Sequence, residues 1–327
     1  MLRALRRLGR RDLSEYQHNR AQARGAHATP QGQGPVRPVP VSQGKRKRSG
    51  GVWRVVFIVS LIVFLCAAGA LAFIGYGYWH GQQNNKQLEQ IGFNAPDAAA
   101  LQRMDLASFT VDWDALRAIN PDVVGWIYVP GTTVNFPIVH GTDDEHYLKT
   151  DFYGQTSWVS FGSIFLSAAN AGDFSDANNI VYGHHMNDGS MFSPFADFGD
   201  ADTFNGHRTV YVFTPAANYQ LTTFSIVHCA ADDPLAQTAF ASEQERQAYV
   251  QDKVDRSVVT VAGLPSAADM KHTFAFSTCD NLASNGRWVL FAYESGSTAA
   301  ASAVADDSSI NPEDVAAVSE AAKETAA

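Results

Sequence analysis

Three short stretches carry groups able to do chemistry: Tyr182-Gly183-His184-His185-Met186, Ser277-Thr278-Cys279, and Arg287. Each closes or opens a short apolar run. An imidazole, a thiol and a guanidinium are what acyl transfer through a thioester needs: an acid/base, a nucleophile and a partner for the oxyanion. A free thiol has a pKa of about 8.5 and is mostly protonated at neutral pH, so a nearby His and Arg raise its reactive fraction. Cys279 ends the run Thr273–Thr278 and precedes Asp280, Asn281 and a Ser-Asn-Gly turn, which sets the sulfur at a strand end. Arg287 begins the next run. A short hairpin would bring the two side by side, and a planar, always-charged donor suits a developing oxyanion.

The competing residues are weaker. Cys229 follows Ser225-Ile226-Val227-His228, but in a regular strand His228 faces the opposite way and does not serve it. His184 and His185 are adjacent, so one of them turns into a shared groove and the other does not. A His-His pair could hold metal, yet there is no His-Glu-x-x-His and no Cys-x-x-Cys. Asn187-Asp188-Gly189-Ser190 reads as a turn and lacks the acidic ligands of a calcium loop. The expectation is no metal and no cofactor. Of three cysteines, Cys66 falls in an apolar stretch, leaving Cys229 and Cys279, for which free thiols are expected rather than a bridge.

The elements that must position these groups read mostly as β. Runs at 125–130, 133–139, 159–166, 179–183, 209–213, 219–228, 273–278 and 287–293 are rich in β-branched and aromatic residues, separated by Gly, Pro, Asn or Asp. About eight strands predict a barrel or a sandwich. Two helices are expected beside them: 112–119, with Asp112 as N-cap and Pro121 beyond its end, and a polar one at 242–254, inserted between strands.

Charge divides the chain. Residues 1–54 hold 13 Lys/Arg and 2 Asp/Glu, and the remainder carries 11 basic against 31 acidic residues, so the overall −9 hides two opposite regions. Residues 55–79 contain no charged side chain and are flanked by Trp53 on one side and Tyr76, Tyr78 and Trp79 on the other. That length and those aromatic ends predict a single transmembrane helix. Lys45-Arg46-Lys47-Arg48 before it places the N-terminus in the cytoplasm and the rest outside. The leader exceeds a cleavable signal peptide, so the span is expected to stay as an anchor. Beside a span, the basic run serves topology and membrane lipid, not nucleic acid. The expected layout is a basic disordered tail at 1–54, the span at 55–79, a stalk at 80–104 with a short helix near 85–91, a catalytic domain at 105–297, and an acidic disordered tail at 298–327.

From Trp113 to Tyr293 the chain resembles the sortases, and class B most closely. The resemblance rests on Asn120-Pro121-Asp122-Val123-Val124-Gly125-Trp126-Ile127, on His146-Tyr147-Leu148 with Phe152-Tyr153-Gly154, and on Gly162-Ser163-Ile164-Phe165. It continues through Tyr182-Gly183-His184-His185-Met186 with Asp188-Gly189-Ser190-Met191-Phe192, and through Ser277-Thr278-Cys279. It implies an eight-stranded sortase-type β-barrel with helical additions, anchored outside a Gram-positive membrane. It implies His184 rather than His185 as the acid/base, Cys279 as nucleophile and Arg287 as oxyanion partner. Tyr182, Ser277, Thr278 and Asp280 are the implied substrate-binding positions. The implied reaction cleaves a sorting signal (Asn-Pro-x-Thr-like or related) of a secreted protein and passes the acyl group to a peptidoglycan-precursor amine. A pilin polymerase joining subunits through lysine is the alternative within the family. A papain-like wall peptidase fits less well, because those enzymes place Cys before His and here His184 precedes Cys279. A non-catalytic anchored binding module is the third reading. The acidic tail has no counterpart in the family.

Overall fold

The computed structural model describes residues 50–156, 162–231, 233, 237–280 and 285–299. Of the basic tail expected at 1–54 and the acidic tail expected at 298–327, residues 1–49 and 300–327 lie outside the described residues, as does the first part of the run expected at 159–166.

The first element is a long helix, α1 (Gly50–Gly92). It is long and apolar enough to cross a membrane, with no buried residue in its apolar stretch. Short helical pieces follow: α2 (Ala98–Leu101), a 3-10 turn (Leu106–Ser108) and α3 (Trp113–Ile119). Asp112 caps α3 as expected, accepting from Ala115 N at 3.0 Å. Next come β1 (Val123–Tyr128), β2 (Asn135–His140), α4 (His146–Lys149), β3 (Ile164–Leu166), β4 (Asn178–Tyr182), α5 (Pro194–Asp197) and α6 (Ala201–Gly206). The chain finishes with β5 (Thr209–Phe213), β6 (Asn218–Ala230), α7 (Glu243–Asp255), β7 (Thr273–Cys279) and β8 (Gly286–Ser297).

The strands close into a barrel in the order β1-β2-β3-β4-β7-β8-β6-β5. β2/β3 and β4/β7 are parallel and the other pairs antiparallel. This resolves barrel against sandwich in favour of the barrel. Alternation sorts the side chains. On β7 and β8, Phe274, Phe276, Leu290 and Ala292 fill the interior with Ile127, Val181 and Leu221. Ala275, Val289 and Phe291 face outward, where Tyr249 and Val250 of α7 cover them.

The inserted helix shows why it read as polar. Its packed face is Arg246, Tyr249, Val250 and Lys253, spaced i, i+3, i+4, i+7, and two of the four are charged. The Arg246 guanidinium is absorbed by the carbonyls of Ala267, Ala268 and Met270 and by Glu243. The Lys253 ammonium meets Asp252 and sits 4.6 Å over the Tyr249 ring.

The expected stalk at 80–104 is corrected by packing. Its first part belongs to α1, and Leu88 and Phe93 are 2% and 5% exposed. Phe93 lies against Phe213, Tyr128, Phe109 and Trp126, with ring centroids 4.9–6.3 Å apart. The apolar residues that do this, Leu88, Ile91, Phe93, Leu101 and Met104, are scattered through a polar stretch, too sparse to show as periodicity.

Candidate active site

Strand direction brings the site together. β4 and β7 run parallel, so both end at the same rim of the barrel, and antiparallel β8 starts there. The register sets Tyr182 opposite Ser277, and Cys279 opposite Arg287. The paired register ends at Tyr182 and Ser277, and the Gly183 amide adds the last rung to the Ser277 carbonyl at 3.0 Å. Side chains directly across a ladder share a face. Tyr182 packs on the outer face, while Gly183 turns inward toward Ile164 and Phe192. Cys279 and Arg287 therefore fall in one outward row on neighbouring strands, about 4.8 Å apart, and His184 follows the end of β4, the strand on the other side of β7.

Cys279 is a free, half-buried thiol at the end of β7. Arg287 donates from one guanidinium nitrogen to the Gly286 carbonyl at 3.0 Å, holding it on the hairpin beside the row. His184 is half-buried, and its Nε2 donates to the Leu148 carbonyl at 2.6 Å. Burial holds its pKa below the ordinary 6.5, and the Leu148 bond offsets part of that. A neutral imidazole with Nε2–H committed to Leu148 keeps Nδ1 as its acceptor nitrogen.

His185 also reaches β7. Its Nδ1 lies 2.8 Å from the Cys279 carbonyl oxygen. Sequence reasoning assigned one imidazole to the groove and nothing to the other. The structure gives each a backbone acceptor: the Leu148 carbonyl for His184, and the Cys279 carbonyl at the end of β7 for His185.

Cys229 stands in the same row, across β8 from Cys279, since Arg287 pairs with both. One strand, and so two inter-strand spacings of about 4.8 Å, separates the two cysteines, too far for a disulfide. Burial, then the Asp233 charge, push the Cys229 thiol up to about 11 despite Arg256, Arg287 and Lys253 nearby. His228 faces away from it, as expected, and stacks on Trp288 with centroids 4.3 Å apart.

The four expected substrate-binding residues divide. Tyr182 is partly buried, packed on Phe165, with a phenol pushed up to about 12 by burial and Asp144 against a Ser167 hydrogen bond. Ser277 is 8% exposed on the face of Cys279. Thr278 is buried on the opposite face, and its hydroxyl makes no hydrogen bond among the described residues. Asp280 is buried with its carboxylate on His228 Nε2 at 3.0 Å. A Cβ on Gly286 would overlap that carboxylate and come within 2.8 Å of the Cys229 carbonyl, so the hairpin needs glycine there. Thr278 and Asp280 thus border the thiol through the backbone, and period-2 geometry turns their side chains away from it. The His228–Asp280 pair was missed because its members are far apart in sequence. No cluster of metal-ligating side chains occurs among the described residues.

No family model matches the chain. Sortase B of Listeria monocytogenes is 29% identical over 222 residues, covering 66% of this chain and 87% of that protein. Sortase B of Staphylococcus aureus is 30% identical over 169 residues, covering 52% of this chain and 68% of that protein. Among solved structures, sortase B of B. anthracis in complex with AAEK1 aligns with a TM-score of 0.57 at 27% identity, over 67% of this chain and 98% of that one. A Staphylococcus aureus sortase B–substrate complex aligns with a TM-score of 0.55 at 26% identity, over 65% of this chain and 95% of that one. The structural alignments span nearly the whole of each relative and about two thirds of this chain, so barrel and relatives point the same way: the chain belongs to the class B sortases, a family of cysteine transpeptidases.

Proposed function

We propose that Cys279 is the nucleophile, His184 the acid/base and Arg287 the oxyanion partner of a membrane-anchored transpeptidase acting on secreted proteins. The observation that supports this reading is the pairing of Cys279 with Arg287 on one face, beside the strand that leads into His184. Cys279 Sγ attacks the Thr carbonyl carbon of the sorting signal while its proton passes to Nδ1 of His184. The oxyanion is met by Arg287. The C–N bond then breaks as His184 returns the proton to the leaving amine, and a thioester remains on Cys279. A peptidoglycan amine attacks that carbon, the C–S bond breaks, and the thiol recovers its proton. Tyr182 and Ser277, on the outward face, line the approach of the signal; Thr278 and Asp280 set the rim from behind.

The apolar stretch of α1 supports a membrane anchor, and the basic residues before it support an N-terminus in the cytoplasm with the barrel outside. We draw the catalytic domain from the last turns of α1, near residue 81, because Leu88 and Phe93 belong to the packed structure. The substrate complex of the Staphylococcus aureus relative supports a peptide sorting signal as the bound group. The test is acyl-enzyme trapping. Incubating the protein with a panel of Asn-Pro-x-Thr peptides and mapping the adduct by peptide mass should find the acyl group on Cys279, and none on a Cys279→Ala variant. An adduct on Cys229 instead would reject the assignment. Acceptor competition between a peptidoglycan-type amine and a lysine peptide separates wall anchoring from pilus assembly.

A further inference from the structure

We propose that His185 is a positioning residue that fixes the end of β7, and Cys279 with it, by donating Nδ1–H to the Cys279 backbone carbonyl. The inference rests on the reading of Cys279 as nucleophile. In the parallel β4/β7 ladder, Gly183 N donates to Ser277 O at 3.0 Å. Donors recur every second residue along such a ladder. The next rung would join the His185 amide to the Cys279 carbonyl. The chain leaves the ladder before making it. Phe192 N donates to His184 O at 2.9 Å, Met186 N donates to Ser193 Oγ at 2.6 Å, and His185 pairs with Met191 across a narrow turn. The imidazole of His185 takes the place of its own backbone amide, 2.8 Å from the Cys279 oxygen. A carbonyl only accepts, so Nδ1 carries the hydrogen.

The device has a use. His184 must leave the sheet plane and reach Leu148, so the main chain turns away after Gly183. That turn would leave the carbonyl of the nucleophile's own residue without a partner at a half-buried strand end, where an orphaned acceptor is costly. On the other side Asp280 N donates to Gly286 O at 3.0 Å. Cys279 is thereby held from β8 by the following peptide and from the turn after β4 by a side chain. Reactive groups must be held to a fraction of an ångström, and a displacement of about 1 Å can cost about 10²-fold in rate. The two adjacent imidazoles divide the work, one exchanging protons with the thiol and one fixing where the thiol stands.

Asn and Gln separate atom position from bulk, because the Asn amide nitrogen falls where Nδ1 stands and the Gln amide nitrogen falls nearer Nε2. Full-length His185→Ala, His185→Asn and His185→Gln, in detergent, are compared with wild type. Two readouts are used: the rate of Cys279 alkylation by iodoacetamide at pH 7, mapped by peptide mass, and kcat against KM on an Asn-Pro-x-Thr peptide that acylates the enzyme. Thermal melting of each variant checks the fold. His185→Ala and His185→Gln should lose about tenfold or more in both rates, with the peptide loss in kcat, while His185→Asn stays within about threefold of wild type. Three equal variants, fast or slow, or a Gln variant better than Asn, would overturn the proposal. Peptide cleavage surviving in Cys279→Ala would instead remove the nucleophile assignment itself. Its abolition there, beside an unimpaired His185→Ala, would remove only the positioning role.

Discussion

Deleting residues before 105 should destabilise the barrel strongly, although the sequence alone suggests a clean domain start there. The fragment 105–299 loses Leu88 and Phe93, which are 2% and 5% exposed. Full burial of a Leu or Phe side chain stabilises by about 1.5–3 kcal/mol, so the pair contributes about 3–6 kcal/mol. Their removal also uncovers Trp126 and Phe213, both fully buried and in contact with Phe93. Domains typically have about 5–15 kcal/mol in all. In a domain of this size each kcal/mol moves Tm by about 2–4 °C, so 105–299 should melt about 6–24 °C below 81–299. The assay is thermal unfolding by circular dichroism on both fragments, with Phe93→Ala in 81–299 as a point check expected to cost about 3–5 kcal/mol. Equal melting of the two fragments within about 3 °C would refute the reasoning and restore a stalk.

Activity should depend on pH through His184. Burial lowers its pKa, so protonation is disfavoured in the folded protein and the neutral base persists to more acidic pH; the acid limb of kcat/KM should lie below pH 6.5, and a limb above that value would contradict the site's electrostatics. Iodoacetamide at pH 8 should modify Cys279 before Cys229, because a thiol pushed up to about 11 is only about one part in a thousand ionised there. Arg287→Lys should lower kcat about 10²-fold, since lysine keeps the charge but not the planar donor pair; a variant within a few-fold of wild type would show that charge alone suffices. Gly183→Ala would put a Cβ 2.5 Å from Ile164 Cδ1 and 2.6 Å from the Phe192 ring, so it should cost about 1–3 kcal/mol in denaturant melts and slow the enzyme by shifting the following His184.

The sequence by itself determined most of the strand content, the helices at 112–119 and 242–254, and the apolar span. Those features are local. β-Branched alternation, an Asp or Ser before a helix, and 25 uncharged residues in a row state their physics within one segment. Face assignments on β7 were local as well, because the period of 2 needs no partner, and the sharing of a face by Ser277 with Cys279 followed from it.

Tertiary structure decided what depended on neighbours far along the chain. Parallel pairing of β4 with β7 brings the segment that leads into His184 to the rim where Cys279 ends β7, and nothing local announces which strands pair. The turn after Gly183 gives His185 its backbone acceptor, a bond spanning 94 residues. Asp280 became a partner of His228, 52 residues away, once strand closure set β6 beside β8 and β7 beside it. Leu88 and Phe93 are buried because the barrel offers an aromatic wall to them, and α7 hides two cations because carbonyls, carboxylates and a ring meet them. Propensity and pattern are properties of a segment; burial and partnership are properties of the pair, and only folding supplies the second member.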